Sequence, residues 1–373
     1  MQPLDGVRVL DFSTLLPGPL AGLLLAEAGA DVIKVERADY GEEMRLYQPR
    51  FSDTSLNFAV LNRGKRSLAL DLKDPAIVDR LKPLIADTQV VLEQFRPGVM
   101  DRLGLGYETV RKINPAIVYC SITGYGQDGP KAQTAAHDLN YIGDTGMLAL
   151  SGDRNGAPIP PPGLIADIGG GTLPAVINIL LALRQAEKTG DGTHLDIAMC
   201  DGLFAWQYWA IGEVDKTGRA PEPGREMVTG GTPRYQLYRT ADGRFAAIAA
   251  LEQKFWDNLC ELIDLPDVFR EDASDPDATR DAIAGIIASN TADHWRQLFA
   301  SRDTCCTIVQ DIAEALADPH FKERGLFDRR VVDGEEAITA IPVPIAPQFR
   351  NDEKDAGYPK LGDANDLLPD EVT

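Results

Sequence analysis

GVRVLDFSTLLPGPLAGLLLAEAGADVIKVER, residues 6 to 37, reads as a β-α-β unit. Val7 to Phe12 is a short apolar strand, Pro17 to Glu27 a leucine-rich helix with proline in its first turn, and Asp31 to Val35 a second strand. Strands joined through a helical crossover run parallel. Further apolar strands at Ser67 to Leu70, Gln89 to Leu92 and Ile117 to Ile122 alternate with helical stretches at Ile77 to Ala86 and Tyr107 to Ile113. The pattern predicts an α/β fold: an open, Rossmann-like, doubly wound large domain. Its first loop sets Gly18 and Gly22 four apart instead of GxGxxG, so the dinucleotide fingerprint is missing. In such sheets ligands bind beyond the carboxyl ends of the strands, here the loops after Phe12, Val35 and Leu92, and Arg37 and Arg96 fall in two of them.

Farther along, a long apolar helix (Leu173 to Arg184), a strand (His194 to Ala198) and a helical stretch (Leu203 to Ile211) precede the Pro/Gly-rich segment Gly218 to Pro233. That composition shift marks a domain boundary. Beyond it, a hairpin pattern (Arg234 to Arg239, Arg244 to Ala249) and helices near Lys254 to Ile263, Asp281 to Ser289 and Thr291 to Ala300 predict a smaller α+β domain. The expected layout is a large domain over 1–200, a linker over 201–230, a small domain over 231–325, and a C-terminal return onto the large domain over 326–373.

A formal net charge of −20 argues against nucleic-acid and anionic-membrane partners, which such a charge repels at long range. The start MQPLDGVRVL lacks the regions of a signal peptide and no run of eighteen or more apolar residues occurs, so a cytoplasmic location is expected. Five cysteines without a CxxC pair suggest neither a disulfide framework nor a metal site, and Cys305 and Cys306 are expected to pack inside the small domain. Against the acidic background, Arg37, Arg63, Lys65, Arg66, Lys73, Arg96 and Arg102 gather in the first third of the chain. Such a cluster suits a small polyanion; the alternative is a solvated face paired with the many acids.

Two residues stand out chemically. AQTAAHDLNYI sets His137 in an alanine-rich loop, and thirty residues later LIADIGGG sets Asp167 before three glycines. A histidine and a carboxylate in side-chain-poor surroundings suit an acid/base or nucleophile pair. Taken singly, His137 reads as a structural histidine and Asp167 as a helix N-cap before a flexible entry turn.

Phrases spread over nearly the whole chain resemble the class III CoA-transferase family and, within it, the α-methylacyl-CoA racemase branch. They are GVRVLDFSTLLPGP, LAEAGADVIKVER, NRGKRSLALDLK, EQFRPGVMDRLGLGY, ITGYGQDGP, AHDLNYI, LIADIGGG, ADGRFAAIAALEQKFW and, more weakly, DTCCTIV. The resemblance implies an acyl-CoA substrate, a large and a small domain, an interlocked homodimer, and no cofactor beyond the CoA moiety of the substrate. It also implies CoA-binding roles for Arg37, for Leu70, Asp71, Leu72 and Lys73 beside the adenosine, for Arg96 and Arg102 near the phosphates, and for Ala136, Asp138 and Tyr141 of AHDLNYI. Guanidinium groups suit the CoA phosphates because they bind them in bidentate fashion.

In the racemase branch His137 and Asp167 match the two residues facing the substrate α-carbon, and Glu252 matches a glutamate near the histidine. One group would remove the α-proton and the other return a proton to the opposite face of a planar enolate, stabilised by backbone N–H groups such as those of Gly169, Gly170 and Gly171. In the transferase branch Asp167 instead attacks the thioester carbonyl and carries CoA as an aspartyl thioester. Two departures from the racemase pattern keep that alternative open, a longer stretch from Gly41 to Phe58 and Ala136 in place of glycine, while LEQKF in place of IEPQF leaves a surface or linker-facing role open for Glu252. A catalytically silent CoA-binding scaffold is a third reading, opposed by the retained His137 and Asp167.

Overall fold

The computed structural model describes residues 2–153 and 156–369. Six parallel strands form the main sheet: β1 (Arg8–Asp11), β2 (Asp31–Arg37), β3 (Arg66–Leu70), β4 (Val90–Glu93), β5 (Val118–Thr123) and β6 (Thr193–Ala198). Their spatial order is β3-β2-β1-β4-β5-β6. The chain walks outward from β1 in one direction, returns, and walks outward in the other, which is the doubly wound topology expected from the sequence. Register is set at the centre, where Val9 lies opposite Val32 on one side and Val90 on the other.

Both faces of the sheet are covered. Helix α1 (Pro17–Glu27) packs on β1, β2 and β4 and against the helix Leu173–Thr189, and nearly all of it is buried, which explains a leucine run without a polar stripe. On the other face, Leu10, Ile33, Leu68, Val91 and Tyr119 form a core with the helices Pro75–Ala86 and Tyr107–Ile113 through Leu81, Ile85 and Val110. The stretch Ala166–Thr189 is long and apolar enough to cross a membrane by length and composition, and half of it is buried against this protein's own sheet and helices.

Two compact units make up the chain. The first combines 1–145, 161–206 and 319–373, so the C-terminal segment belongs with the main sheet. That segment guards the edge strand β3: Asp363 Oδ1 accepts from Ser67 N–H at 2.7 Å, Asn365 Oδ1 from Ala69 N–H at 2.8 Å, and Ala364 N–H donates to the Ser67 carbonyl at 2.8 Å. Backbone groups that would otherwise template aggregation are thereby paired. The second unit combines 146–160 and 207–318. In it an antiparallel sheet of β7 (Tyr235–Arg239), β8 (Phe245–Ala249) and β9 (Cys306–Ile308) packs with three helices, Gln253–Leu262, Pro276–Ile287 and Ala292–Phe299, around Trp256, Trp295 and Ile283. Cys305 departs from expectation: it is exposed, at φ 51, and only Cys306 is partly packed.

The basic cluster divides. Arg63, Lys65 and Arg66 are ion-pair partners within the fold: Arg63 with Glu27, Lys65 with Asp11 and Arg66 with Asp31. Glu27 is shared by three arginines, Arg63 at 2.9 Å, Arg350 at 2.7 Å and Arg329 at 3.6 Å, which ties the C-terminal segment to α1. Arg63 has almost no solvent access, so removing its partner strands a charge. Glu27→Ala should therefore cost about 3–5 kcal/mol of stability, read as a lowered urea midpoint of the full chain.

Candidate functional site

Beyond the carboxyl ends of β1, β2 and β3 lies a cavity of about 640 Å³. The loop after β1 (Ser13, Thr14, Leu15), the loop after β2 (Arg37 to Glu43), the segment Leu70 to Lys73 after β3, and Phe95, Val99 and Leu103 after β4 form its walls. Arg37, Leu70, Asp71, Leu72 and Lys73 thus come together in one place. Arg37 lies over the Tyr40 ring at 4.3 Å and pairs with Asp39 at 2.9 Å, and both partners remain exposed. This leaves cation, aromatic face and apolar wall side by side, with the carboxylates of Asp39, Glu43 and Asp71 among them.

Beneath the cavity the charged groups are dry. Lys34 meets Glu42 at 2.5 Å and Lys65 meets Asp11 at 2.9 Å, none of the four side chains being more than 1% exposed. Burial pulls the Lys34 ammonium down, but Glu42, Asp11 and Glu36 together hold it above its ordinary value. Burial likewise pushes Asp11 up, and Lys65, Lys34 and Ser13 outweigh it.

His137 and Asp167 sit on adjoining segments joined by one side chain. Asp138 opens the helix Asp138–Asp144 and is buried; its Oδ1 accepts from the N–H groups of Ala166 at 2.7 Å and Asp167 at 3.0 Å. His137, just before it, is exposed, and its backbone N–H donates to Asn140 Oδ1 at 3.1 Å. The Asp167 carboxyl is pushed up to about 6, chiefly by burial, then by the Asp138 charge, with His137 opposing. Tyr141 donates from Oη to the Ala136 carbonyl at 2.8 Å, closing the loop in front of this corner. Burial first, then Asp167, raise its phenol to about 12.

Asp167 is not a helix cap. It lies in the first turn of a π-helix, Ala166–Thr172, that continues into the helix Leu173–Thr189. The three glycines make room for this wider turn: a Cβ on Gly170 would fall 2.1 Å from the Met199 carbonyl oxygen, and one on Gly169 would fall 2.4 Å from the Trp206 ring. They serve close packing against the helix Met199–Phe204 and Trp206, which corrects the flexible-turn reading.

The remaining expected residues are dispersed. Arg96 is exposed and lines a smaller cavity of about 200 Å³ with Glu93, Ser121, Gln127 and His194. There Ser121 Oγ lies 3.0 Å from His194 Nε2, and burial pushes the Glu93 carboxyl up to about 7. Arg102 is exposed on the helix Val99–Arg102 and lines neither cavity. Glu252 belongs to the second unit, exposed, where its carbonyl caps the helix Gln253–Leu262 by accepting from Phe255 and Trp256 N–H. Sequence reasoning missed Tyr125, Lys131 and Asp144, in which Asp144 Oδ2 accepts from Tyr125 Oη and from Lys131 Nζ, each at 2.7 Å, beside Tyr141. The phrase GYGQDGPK carried the first two of these residues but gave no sign of their shared acid. Among the described residues no group of His, Cys, Asp and Glu is disposed to hold a metal.

The sequence matches the family model described as CoA-transferase family III over residues 4–365. It is 36% identical to the alpha-methylacyl-CoA racemase of Mus musculus over 92% of this chain and 86% of that protein. It is 31% identical to an acetyl-CoA:oxalate CoA-transferase of Acetobacter aceti, over 98% of this chain and 95% of that protein. The crystal structure of Rv3272 from Mycobacterium tuberculosis superposes with a TM-score of 0.86 at 30% identity, covering 99% of both chains.

Because folding holds the Asp167 proton more tightly than the unfolded chain does, this group favours the fold below about pH 6, and that contribution is lost as pH rises through about 6. Asp138→Asn keeps an oxygen for the two N–H groups but removes the charge, so the Asp167 midpoint should fall below about 6. Carboxyl-¹³C NMR titration, with Asp167→Asn to assign the signal, reads that shift.

Proposed function

The chain belongs to CoA-transferase family III, and from that premise we propose that it racemises 2-methylacyl-CoA thioesters by 1,1-proton transfer. The observation that carries this reading is the juxtaposition of His137 and Asp167 through Asp138. A two-base racemase needs two different acid/base groups on opposite faces of one carbon. Asp167, ionised above about pH 6, takes the α-proton; the electrons of the C–H bond pass into the thioester carbonyl to give an enolate. His137 returns a proton to the far face, and the reverse sequence handles the other enantiomer. The chemistry draws on no group beyond the CoA moiety of the substrate.

In this reading the cavity along Arg37 and Leu70 to Lys73 receives the adenosine end of CoA, and Arg96 and Arg102, exposed outside that cavity, reach its phosphates. The protein is further proposed to work as an interlocked homodimer. Apolar Ile177, Leu180 and Leu181, exposed on the helix Leu173–Thr189, support a partner surface.

A second reading is favoured by the similarity to a CoA-transferase along almost the whole chain. There the Asp167 carboxylate attacks the thioester carbonyl, expelling CoA thiolate and forming a mixed anhydride. The thiolate then attacks the aspartyl carbonyl, releasing the first acid and leaving an aspartyl-CoA thioester, and an acceptor carboxylate reverses the two steps.

A single-enantiomer 2-methylacyl-CoA incubated in D2O without any acceptor acid separates the two. Racemisation predicts deuterium at the α-carbon with loss of enantiomeric purity, abolished by His137→Ala and by Asp167→Asn. An unchanged α-proton, followed by CoA exchange once carboxylic acids are added, overturns it in favour of transfer. Light scattering should return twice the 40.5 kDa chain mass; a monomer would remove the dimer from the proposal.

A further inference from the structure

We propose that Lys34 and Glu42 are positioning residues that hold the cavity wall in its ligand-receiving shape, an inference that rests on the cavity being the CoA site. Leu15, on that wall, has a φ of 64, in the left-handed region that a leucine avoids because its Cβ crowds the backbone. Such a conformation persists only where its surroundings enforce it. Here the Leu15 N–H donates to Glu42 Oε1 at 2.6 Å, and Lys34 Nζ binds both the Glu42 carboxylate at 2.5 Å and the Ser13 carbonyl at 2.8 Å. One dry ammonium therefore fixes the backbone before Leu15 and the carboxylate that fixes Leu15 itself.

The backbone of Glu42 itself ties the loop after β2 to its strand. The Glu42 N–H donates to Glu36 Oε2 at 2.9 Å, and Glu36 is gripped by Arg45 through two bonds of 2.7 Å. The loop after β1 and the loop after β2, which both line the cavity, are in this way pinned to one another and to β2.

At its other end the loop after β1 reaches the Asp167 segment. Thr172 Oγ1 donates to the Pro17 carbonyl at 2.7 Å and to the Asp167 carbonyl at 3.2 Å. Ser13 to Pro17 thus form a short bridge between the cavity and the π-helix that carries Asp167. A wall held at Leu15 fixes the ligand's adenosine end relative to the reacting carbon, and preorganisation of this kind is expressed as affinity.

Calorimetric titration of the full-length protein with CoA tests this. Glu42→Gln keeps an acceptor for the Leu15 N–H but removes the charge that orients Lys34, and should raise the Kd for CoA about tenfold, with KM for an acyl-CoA rising more than kcat falls. Glycine adopts the Leu15 conformation without strain, so in a Leu15→Gly background the penalty of Glu42→Gln should shrink to about threefold or less. An unchanged Kd, or an equal penalty in both backgrounds, overturns the proposal. Should Glu42→Gln fail to fold, Leu15→Ile decides: its β-branch disfavours that backbone on a partly exposed loop, so CoA must bind more weakly, and unaltered binding overturns the proposal. Failure of the unsubstituted protein to bind CoA overturns the CoA reading itself, and the proposal with it.

Discussion

Asp11 and Lys65 meet at 2.9 Å, and Lys34 and Glu42 at 2.5 Å, with all four side chains sealed from solvent beneath the carboxyl ends of the central strands. Removing charges from water costs several kcal/mol per ion, and the cost is recovered only where every lone pair and proton finds a partner. Lys65 and Asp11 meet that condition. Lys65 also donates to the Pro19 carbonyl and to Asn62 Oδ1, while Asp11 accepts from the backbone and hydroxyl of Ser13. The start of α1, the end of the helix Leu56–Asn62 and the loop between β1 and α1 are all fixed by one set of charges. The cavity above is the space these fixed loops leave.

A second small device organises the opposite corner. Asp138 uses a single oxygen to hold the start of the π-helix, and its charge, together with burial, lifts the neighbouring Asp167. One carboxylate is spent on structure so that another can titrate close to neutrality. This corner suits proton abstraction and carbonyl attack alike, since both ask for an ionised, poorly solvated carboxylate. Two chemistries within one family are therefore compatible with the same few side chains, and what separates them is the fate of the substrate's carbonyl.

Much of this was legible in the sequence where the signal is local. The β-α-β opening declared itself through apolar runs and a proline-led helix, and α1 falls on the predicted residues, Pro17 to Glu27. The motifs around His137 and Asp167 single both out in sequence, and the structure joins their segments through Asp138. What failed was long-range pairing. Arg63, Lys65 and Arg66 looked like an anion site because their partners, Glu27, Asp11 and Asp31, lie between 35 and 54 residues away in sequence. The triple glycine read as a flexible turn because nothing local announces Met199 and Trp206 pressing on it. Leu15 carries no sequence mark of its unusual backbone at all.

The first unit is discontinuous, with its last segment, 319–373, arriving after the whole second unit has been made. Glu27 must wait 323 residues for the Arg350 that shares its carboxylate, and the edge of β3 must wait nearly as long for Asp363 and Asn365. During synthesis the nascent sheet therefore has an open flank and an incomplete charge clamp. The second unit draws all of its segments from 146–160 and 207–318, so it has every part it needs while the sheet is still unfinished. Emergence of 319–373, rather than of the N-terminal half, is the moment at which the main sheet can close.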